Sequence, residues 1–233
     1  MHFSHAATIW ERFPQLVPGV MLVEQIHPEV ALEDRLEPLF AQARARLADK
    51  SESELPEVAA WRRAYSQMGM KPTQYRSAGE ALLRRFRREN SLPRLHPLVD
   101  LCNAVSLVFA LPIAVFDLDG VADWLEVRPA LGTEQHLAFN GEIEHPEPNE
   151  VIFADAAGHA HARRWTFRQS RRSTVSASTR RVLIVSEALH ASAADDIPRL
   201  LDTLTEHISA LWAAPRDQTV LTASQPRWVT PTS

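Results

Sequence analysis

Apolar positions along this chain switch from short extended runs to helical spacing and back. "LVPGVMLVEQI" (16–26) predicts a strand entered through a Pro-Gly turn. Over 31–50, Leu32, Leu36, Leu39, Phe40, Ala43 and Leu47 recur three or four apart, which predicts a helix that Pro38 kinks or splits. A polar link at 51–57 ends in Pro56, and a helix follows over 57–69 with Gly69 as its stop. After the loop "KPTQYR", Ser77 opens a helix over 77–89, and Glu80 three residues later completes a capping box. The helix over 96–110 is apolar on most sides and therefore central; Asp100, Asn103 and Ser106 share its one polar side.

From Leu111 the texture becomes strands and turns: 113–117, 124–128, 134–139, 150–155, 159–167 and 180–188, with Asn140-Gly141 as a tight-turn signal. An amphipathic helix over 197–214 closes the pattern, and 216–233 reads as a loose tail. Helices, then strands, then a helix predict one α+β domain over 1–215 rather than a doubly wound parallel sheet.

Composition changes this little. Among 233 residues, 45% are hydrophobic and 23% charged, ordinary for a soluble globular chain. No apolar stretch approaches the roughly 20 residues that span a bilayer. The first residues show no secretory signal, and the single Cys102 fits a reducing, cytoplasmic setting as a small buried hydrophobe.

Charge does change it. The net −4 hides two basic blocks: residues 61–110 carry 9 basic and 3 acidic groups, and 156–185 carry 7 and 0. All but Lys50 and Lys71 are arginines, whose planar fork suits phosphate, although arginine-favouring codon usage, in keeping with the Ala-rich composition, is the plainer explanation.

"AVFDLDG" (114–120) spells an apolar strand ending in D-x-D-G, the opening of haloacid dehalogenase-type phosphatases. Such chemistry needs a later basic group at the phosphoryl, usually lysine, and an acidic pair for the metal. "ADDIP" (194–198) offers the pair, but no lysine follows Lys71. The motif also stands mid-chain, before strands. A turn made by Asp117, Asp119 and Gly120 is the better reading, with the phosphatase a distant alternative.

Read with its neighbours, the stretch belongs to a longer series. The parts are E-A-L-x-R-R on a helix, L-P with V-D-x-x-N on the next, P-x-x-x-F-D-x-D, "VRPALGTE", an Asn-Gly turn and "EVIFAD". In this order, over roughly 57–190, they resemble the B3/B4 domain of the phenylalanyl-tRNA synthetase β subunit. "ARRWTFRQS" (162–170) and the chain length resemble the family's free-standing branch. The resemblance implies an α+β fold with a β-sandwich-like core of mostly antiparallel strands flanked by helices. It also implies editing: hydrolysis of the ester of a mischarged aminoacyl-tRNA, here in trans, with the tRNA acceptor end as partner and neither cofactor nor metal. One departure matters. Where the synthetase branch has P-x-H-x-F-D, this chain has Ala114, and the Gly-rich stretch after the acidic strand is replaced. A non-catalytic module that binds tRNA or an amino-acid-like ligand is therefore the alternative.

Deacylation needs a positioned water, a polarised carbonyl and room for the terminal adenosine. Asn103 is the candidate to orient water or carbonyl, Glu134 (with Glu150) to act on water, and Gly141 to let backbone approach substrate. Arg76, Glu80 and Asp117 are candidate substrate contacts or their anchors. Arg164 and Arg168 are placed to reach phosphate and Trp165 to stack on a ring. Against each stands a plain structural role: cap, hairpin, ion pair or core. His159 and His161 alternate on one strand, but with no carboxylate or cysteine in ligand spacing no metal site is expected there.

Overall fold

The structure is a computed structural model that describes residues 1–231. In chain order the elements are β1 (His2–His5), α1 (Ala7–Arg12), β2 (Val17–Glu24), α2 (Glu33–Leu47), α3 (Pro56–Gln67), α4 (Ala78–Glu89) and α5 (Pro97–Phe109). Then come β3 (Ile113–Asp117), β4 (Trp124–Pro129), β5 (His136–Leu137), β6 (Ile143–Glu144), β7 (Val151–Asp155), β8 (Ala160–Arg163), β9 (Arg168–Gln169) and β10 (Arg181–Ala188). The last three are α6 (Ala193–Leu211), β11 (Asp217–Val220) and β12 (Arg227–Val229).

Three layers result. One sheet runs β12-β1-β4-β7-β8-β9, a second runs β11-β2-β10-β3, and β5 with β6 forms a separate hairpin. Among the paired strands of the described residues only β1 and β4 are parallel; the fold is α+β with mostly antiparallel sheets. Alternation along β2 and β10 sets the layering. Val20, Leu22, Leu183 and Val185 face the first sheet, where they meet Phe3, Leu125, Val127 and Phe153. Met21, Val23, Val182 and Ile184 face the other way, onto α2, α5 and α6. Both faces are covered, which is why these strands read as continuous apolar runs.

Several expectations change. Pro18-Gly19 lies inside β2 rather than in a turn. A Cβ on Gly19 would stand 2.7 Å from Ile197 Cγ2, so glycine lets α6 lie close on the sheet. Helix α2 runs through Pro38 with Leu36, Leu39, Ala43 and Leu47 buried along it. The 134–139 strand shrinks to β5. The 159–167 strand breaks into β8 and β9 because Arg164 and Trp165 turn left-handed, at φ 46° and 59°. The expected tail is structured where described: β11 pairs with β2 and β12 with β1. Thr232 and Ser233 lie outside the described residues. No helix among the described residues is long and apolar enough to cross a membrane.

Candidate functional site

The edge strand of each sheet, β3 and β9, meet across a groove. Gln169 on β9 donates from Nε2 to the Val115 carbonyl on β3 at 2.7 Å and so ties the two edges. On one side lies a small cavity of about 70 Å³ with Ala114, Phe153, Ala162, Trp165, Val185 and Glu187 in its wall. On the other lies an open cleft of about 510 Å³ reached past Leu95, Asn103, Phe139 and Val175. Ile113 and Gln169 belong to both walls. The rim is unusually apolar: Leu95 is 68% exposed and Phe139 61%. Exposed large apolar side chains at the mouth of a cleft mark a binding surface more than a fold requirement.

The small cavity has a buried charge in its wall. Glu187, on β10, is buried among apolar residues, which is costly unless its oxygens are bonded. They are: Oε1 lies 2.6 Å from His5 Nε2, and Oε2 accepts from Trp165 Nε1 at 2.9 Å. Trp61 donates to the Glu187 carbonyl at 3.3 Å. The strand β1, from the start of the chain, is thus part of the site's support.

Asn103, on α5, lies in the cleft wall and is half-buried. Its polar neighbours on α5 are engaged elsewhere. Asp100 accepts from Leu95 N–H at 2.9 Å and pairs with Arg94, and Ser106 donates to the Leu111 carbonyl. Asn103's amide has no protein partner among the described residues, so it is free for a ligand.

The other candidates are spread over the molecule. Glu134 is buried and closes the 130–134 loop. It accepts from Leu131 and Gly132 N–H at 3.0 Å and pairs with Arg128. Burial alone would raise its pKa, but those hydrogen bonds and Arg128 outweigh burial and hold it low. With both oxygens so occupied it has no access to a water in the groove. Gly141 sits at φ 92° in the β5–β6 hairpin, and its Cβ position faces open space. It closes the turn that presents Phe139 rather than a surface for substrate.

Glu80 is buried, with Arg62 at 2.9 Å, Arg84 at 3.0 Å and Arg76 at 3.6 Å on one carboxylate oxygen. The capping box is half made: Ser77 accepts from Glu80 N–H, while the Glu80 side chain turns to the arginines. Asp117 caps its turn through Asp119 N–H and accepts from Thr179 Oγ1, the structural role that D-x-D-G suggested. Arg164 lies over the Tyr75 ring at 4.6 Å, in a separate depression. Arg168 forks onto Glu144 at 2.8 and 3.1 Å, beside the small cavity. Trp165 is fully buried, so its ring cannot stack on an incoming base; it walls the small cavity instead.

The expectation that His159 and His161 lack a carboxylate is corrected, because the β7–β8 turn brings Asp155 against both. Asp155 Oδ2 lies 3.0 Å from His159 Nδ1 and 3.0 Å from His161 Nε2. The same carboxylate also accepts N–H groups from Ala122, Ala157 and His159. Burial pushes its pKa up, but His161 and these amides prevail and hold it well below the usual carboxylate range.

Charge is distributed differently from the linear count. In the first basic block, Arg62, Arg76, Arg84, Arg85, Arg87, Arg88 and Arg94 all pair with carboxylates. In the second, Arg163 and Arg168 pair with Glu144 and Glu150. Arg171, Arg172, Arg180 and Arg181 have no carboxylate within 4.0 Å among the described residues. They flank "STVSAST" (173–179), part of the cleft wall.

The family model of the B3/4 domain matches residues 60–209. The chain belongs to the B3/4 domain family. Among solved structures, this B3/4 chain is similar to an N-terminal fragment of the phenylalanyl-tRNA synthetase β-subunit from Pyrococcus horikoshii. That likeness has 10% identity and a TM-score of 0.37, covering 86% of this chain and 48% of that one. The B3/4 chain thus spans about half of that fragment. No curated protein matches it. Within the matched span falls the groove lining apart from Pro28, including Asn103, Ala114, Gln169 and Glu187.

Sequence reasoning missed Gln169, Glu187 and the 171–181 arginines as a group. Glu187 carried a signal: a lone acidic residue in the apolar run "VLIVSEA". His5 carried none, since only the tertiary fold brings β1 beside β10's carboxylate.

Proposed function

We propose that this chain hydrolyses the ester between an amino acid and the 3′-terminal ribose of a tRNA, acting on mischarged aminoacyl-tRNA in trans. The observation that carries the reading is the paired groove: a small apolar cavity beside a cleft of nucleoside-holding size, sharing Ile113 and Gln169. A short aminoacyl side chain fits the cavity, the terminal adenosine fits the cleft, and the ester lies between. Asn103 then orients the water or the carbonyl, and the Gln169 amide, fixed by Val115, holds the reacting group in place. Water adds to the carbonyl carbon, the tetrahedral intermediate collapses, and the ribose oxygen leaves with a proton. The ester is already activated, so positioning and carbonyl polarisation suffice without a strong nucleophile. Ala114 leaves this cavity without the imidazole of the synthetase branch, which favours the second reading, a module that binds without turnover.

Phosphate contact falls to Arg171, Arg172, Arg180 and Arg181, whose guanidiniums are not committed to carboxylates. The whole chain acts as one unit in this reading, and the tRNA acceptor end is its partner.

The test is deacylation of a panel of correctly and incorrectly charged tRNAs by the purified protein. Selective loss of one aminoacyl group is expected. Salt-dependent tRNA binding with no loss across the panel would replace the reaction with the binding module.

A further inference from the structure

Apart from the groove, α2, α5 and α6 frame a second and larger cleft of about 680 Å³. Its wall includes Arg46, Glu57, Asp196 and Arg199. Behind it stands His190, just after β10. Glu57, His190 and Asp196 each offer a ligand atom within 4.8 Å of the other two. The three side chains converge from distant segments: the first turn of α3, the turn after β10, and the first turn of α6.

Two features separate this cluster from an ordinary ion-pair network. Glu57 and His190 are 6% and 4% exposed, yet Glu57 Oε2 and His190 Nδ1 have no hydrogen-bond partner among the described residues. A buried carboxylate oxygen and a buried ring nitrogen left unpaired are costly, and each such atom asks for an explanation. The second feature is orientation. His190 Nε2 lies 2.9 Å from Asp196 Oδ2, and Ser192 Oγ donates to that same oxygen at 2.7 Å. With Nε2–H given to Asp196, Nδ1 keeps its lone pair. A carboxylate that fixes the tautomer of a ligating imidazole is the usual outer support of a metal site.

The Asp155–His159–His161 cluster is the natural comparison. There every Asp155 oxygen is occupied by amides and imidazoles, and His161 Nδ1 is bonded to Ser173 Oγ at 2.9 Å. The Asp155 carboxylate and the His161 ring are thus fully engaged, whereas Glu57 Oε2 and His190 Nδ1 are left unpartnered in the second cluster.

We propose that Glu57 and His190 ligate a divalent cation of Zn²⁺ class, with Asp196 as the outer carboxylate that orients the imidazole, at a site open to the 680 Å³ cleft. One imidazole and one carboxylate suit a borderline first-row ion, and two protein ligands leave coordination positions for water or a small anion. Arg46 holds the other Glu57 oxygen, and Arg199 holds Asp196 Oδ1 at 3.0 Å. Both arginines keep the carboxylates ionised and present cations to an anion entering the cleft.

The experiment uses the full chain, stripped with a chelator and titrated with Zn²⁺ by calorimetry. X-ray absorption at the zinc edge is then recorded on the loaded wild-type protein. One equivalent bound with a single imidazole and oxygen donors is expected. Glu57→Gln and His190→Gln should each weaken binding at least 100-fold, while His159→Ala should leave it unchanged. No binding by the wild type would overturn the proposal. So would two imidazoles in the absorption spectrum, or loss of binding in His159→Ala, since either places the ion at Asp155. The absorption measurement needs no variant, so a substitution that fails to fold leaves the proposal decidable. The readout is independent of deacylation, and either result stands whatever the groove does.

Discussion

Trp165 and Asn103 separate support from chemistry. Trp165 gives both packing and its indole N–H to Glu187. Trp165→Ala should cost about 3–5 kcal/mol. Trp165→Phe keeps most of the packing but leaves a buried Glu187 oxygen without its donor, for about 1–3 kcal/mol. Urea unfolding of both variants checks the order; no loss in Trp165→Phe would mean that the hydrogen bond contributes nothing, and equal losses that packing does not set the cost. Asn103→Ala removes an amide with no protein partner. It should leave stability within about 0.5 kcal/mol and lower deacylation by about two orders of magnitude, read in single-turnover assays. At this scale the sequence was half legible. Asn103's helical spacing with Asp100 and Ser106 correctly put three polar groups on one side of α5. It could not say which one faced space, because that depends on Leu95 N–H and the Leu111 carbonyl arriving from loops. Trp165 read as a surface ring because its neighbours in the chain are arginines; two left-handed residues fold it inward.

Among elements, the arginine-flanked segment 171–181 and the turn at Asp117–Gly120 depend on each other. A Cβ on Gly120 would collide with the carbonyl of Arg172, and Thr179 donates to Asp117. Gly120→Ala should therefore displace the arginines from the cleft and weaken tRNA binding more than it weakens the fold. Replacing Arg171, Arg172, Arg180 and Arg181 by Gln should reduce the salt slope of tRNA affinity by about one unit for each phosphate no longer neutralised. Arg164→Ala, its guanidinium stacked on Tyr75, should leave that slope unchanged. Filter binding from low to high salt measures all three, and a slope reduced only by Arg164→Ala would reverse the assignment. The long periodic elements α2, α4, α5 and β10 were legible because their buried faces repeat within one window. The strands β1, β11 and β12 were not. Their stability comes from covering sheet edges, and nothing local reports a partner more than 200 residues away, as between β1 and β12.

The whole molecule keeps much of its titratable chemistry inside, which gives it an acid limit. His96, His136 and His161 are buried, and burial is the main cause that lowers the pKa of each; for His161 it outweighs the pull of Asp155. The folded protein holds these rings neutral, whereas the unfolded chain takes protons near pH 6.5. The unfolded state therefore binds more protons below that pH, so the stabilisation is complete above it and is lost as pH falls through the lowered native values. Asp155, also held low, adds its own loss only further down, below about pH 4. The expected result is a thermal midpoint that is level from pH 8 to 7 and falls between pH 6.5 and 5. Each ring contributes at most about 1.4 kcal/mol per pH unit. His136 offers the cleanest check, since its ring contacts one carbonyl, that of Ala160, at 3.2 Å and, among the described residues, no carboxylate within 4.0 Å. His136→Gln should make the decline between pH 6.5 and 5 shallower while leaving the fall below pH 4 in place. An unchanged slope would mean that His136 already carries its proton in the folded state, and that burial does not set its charge.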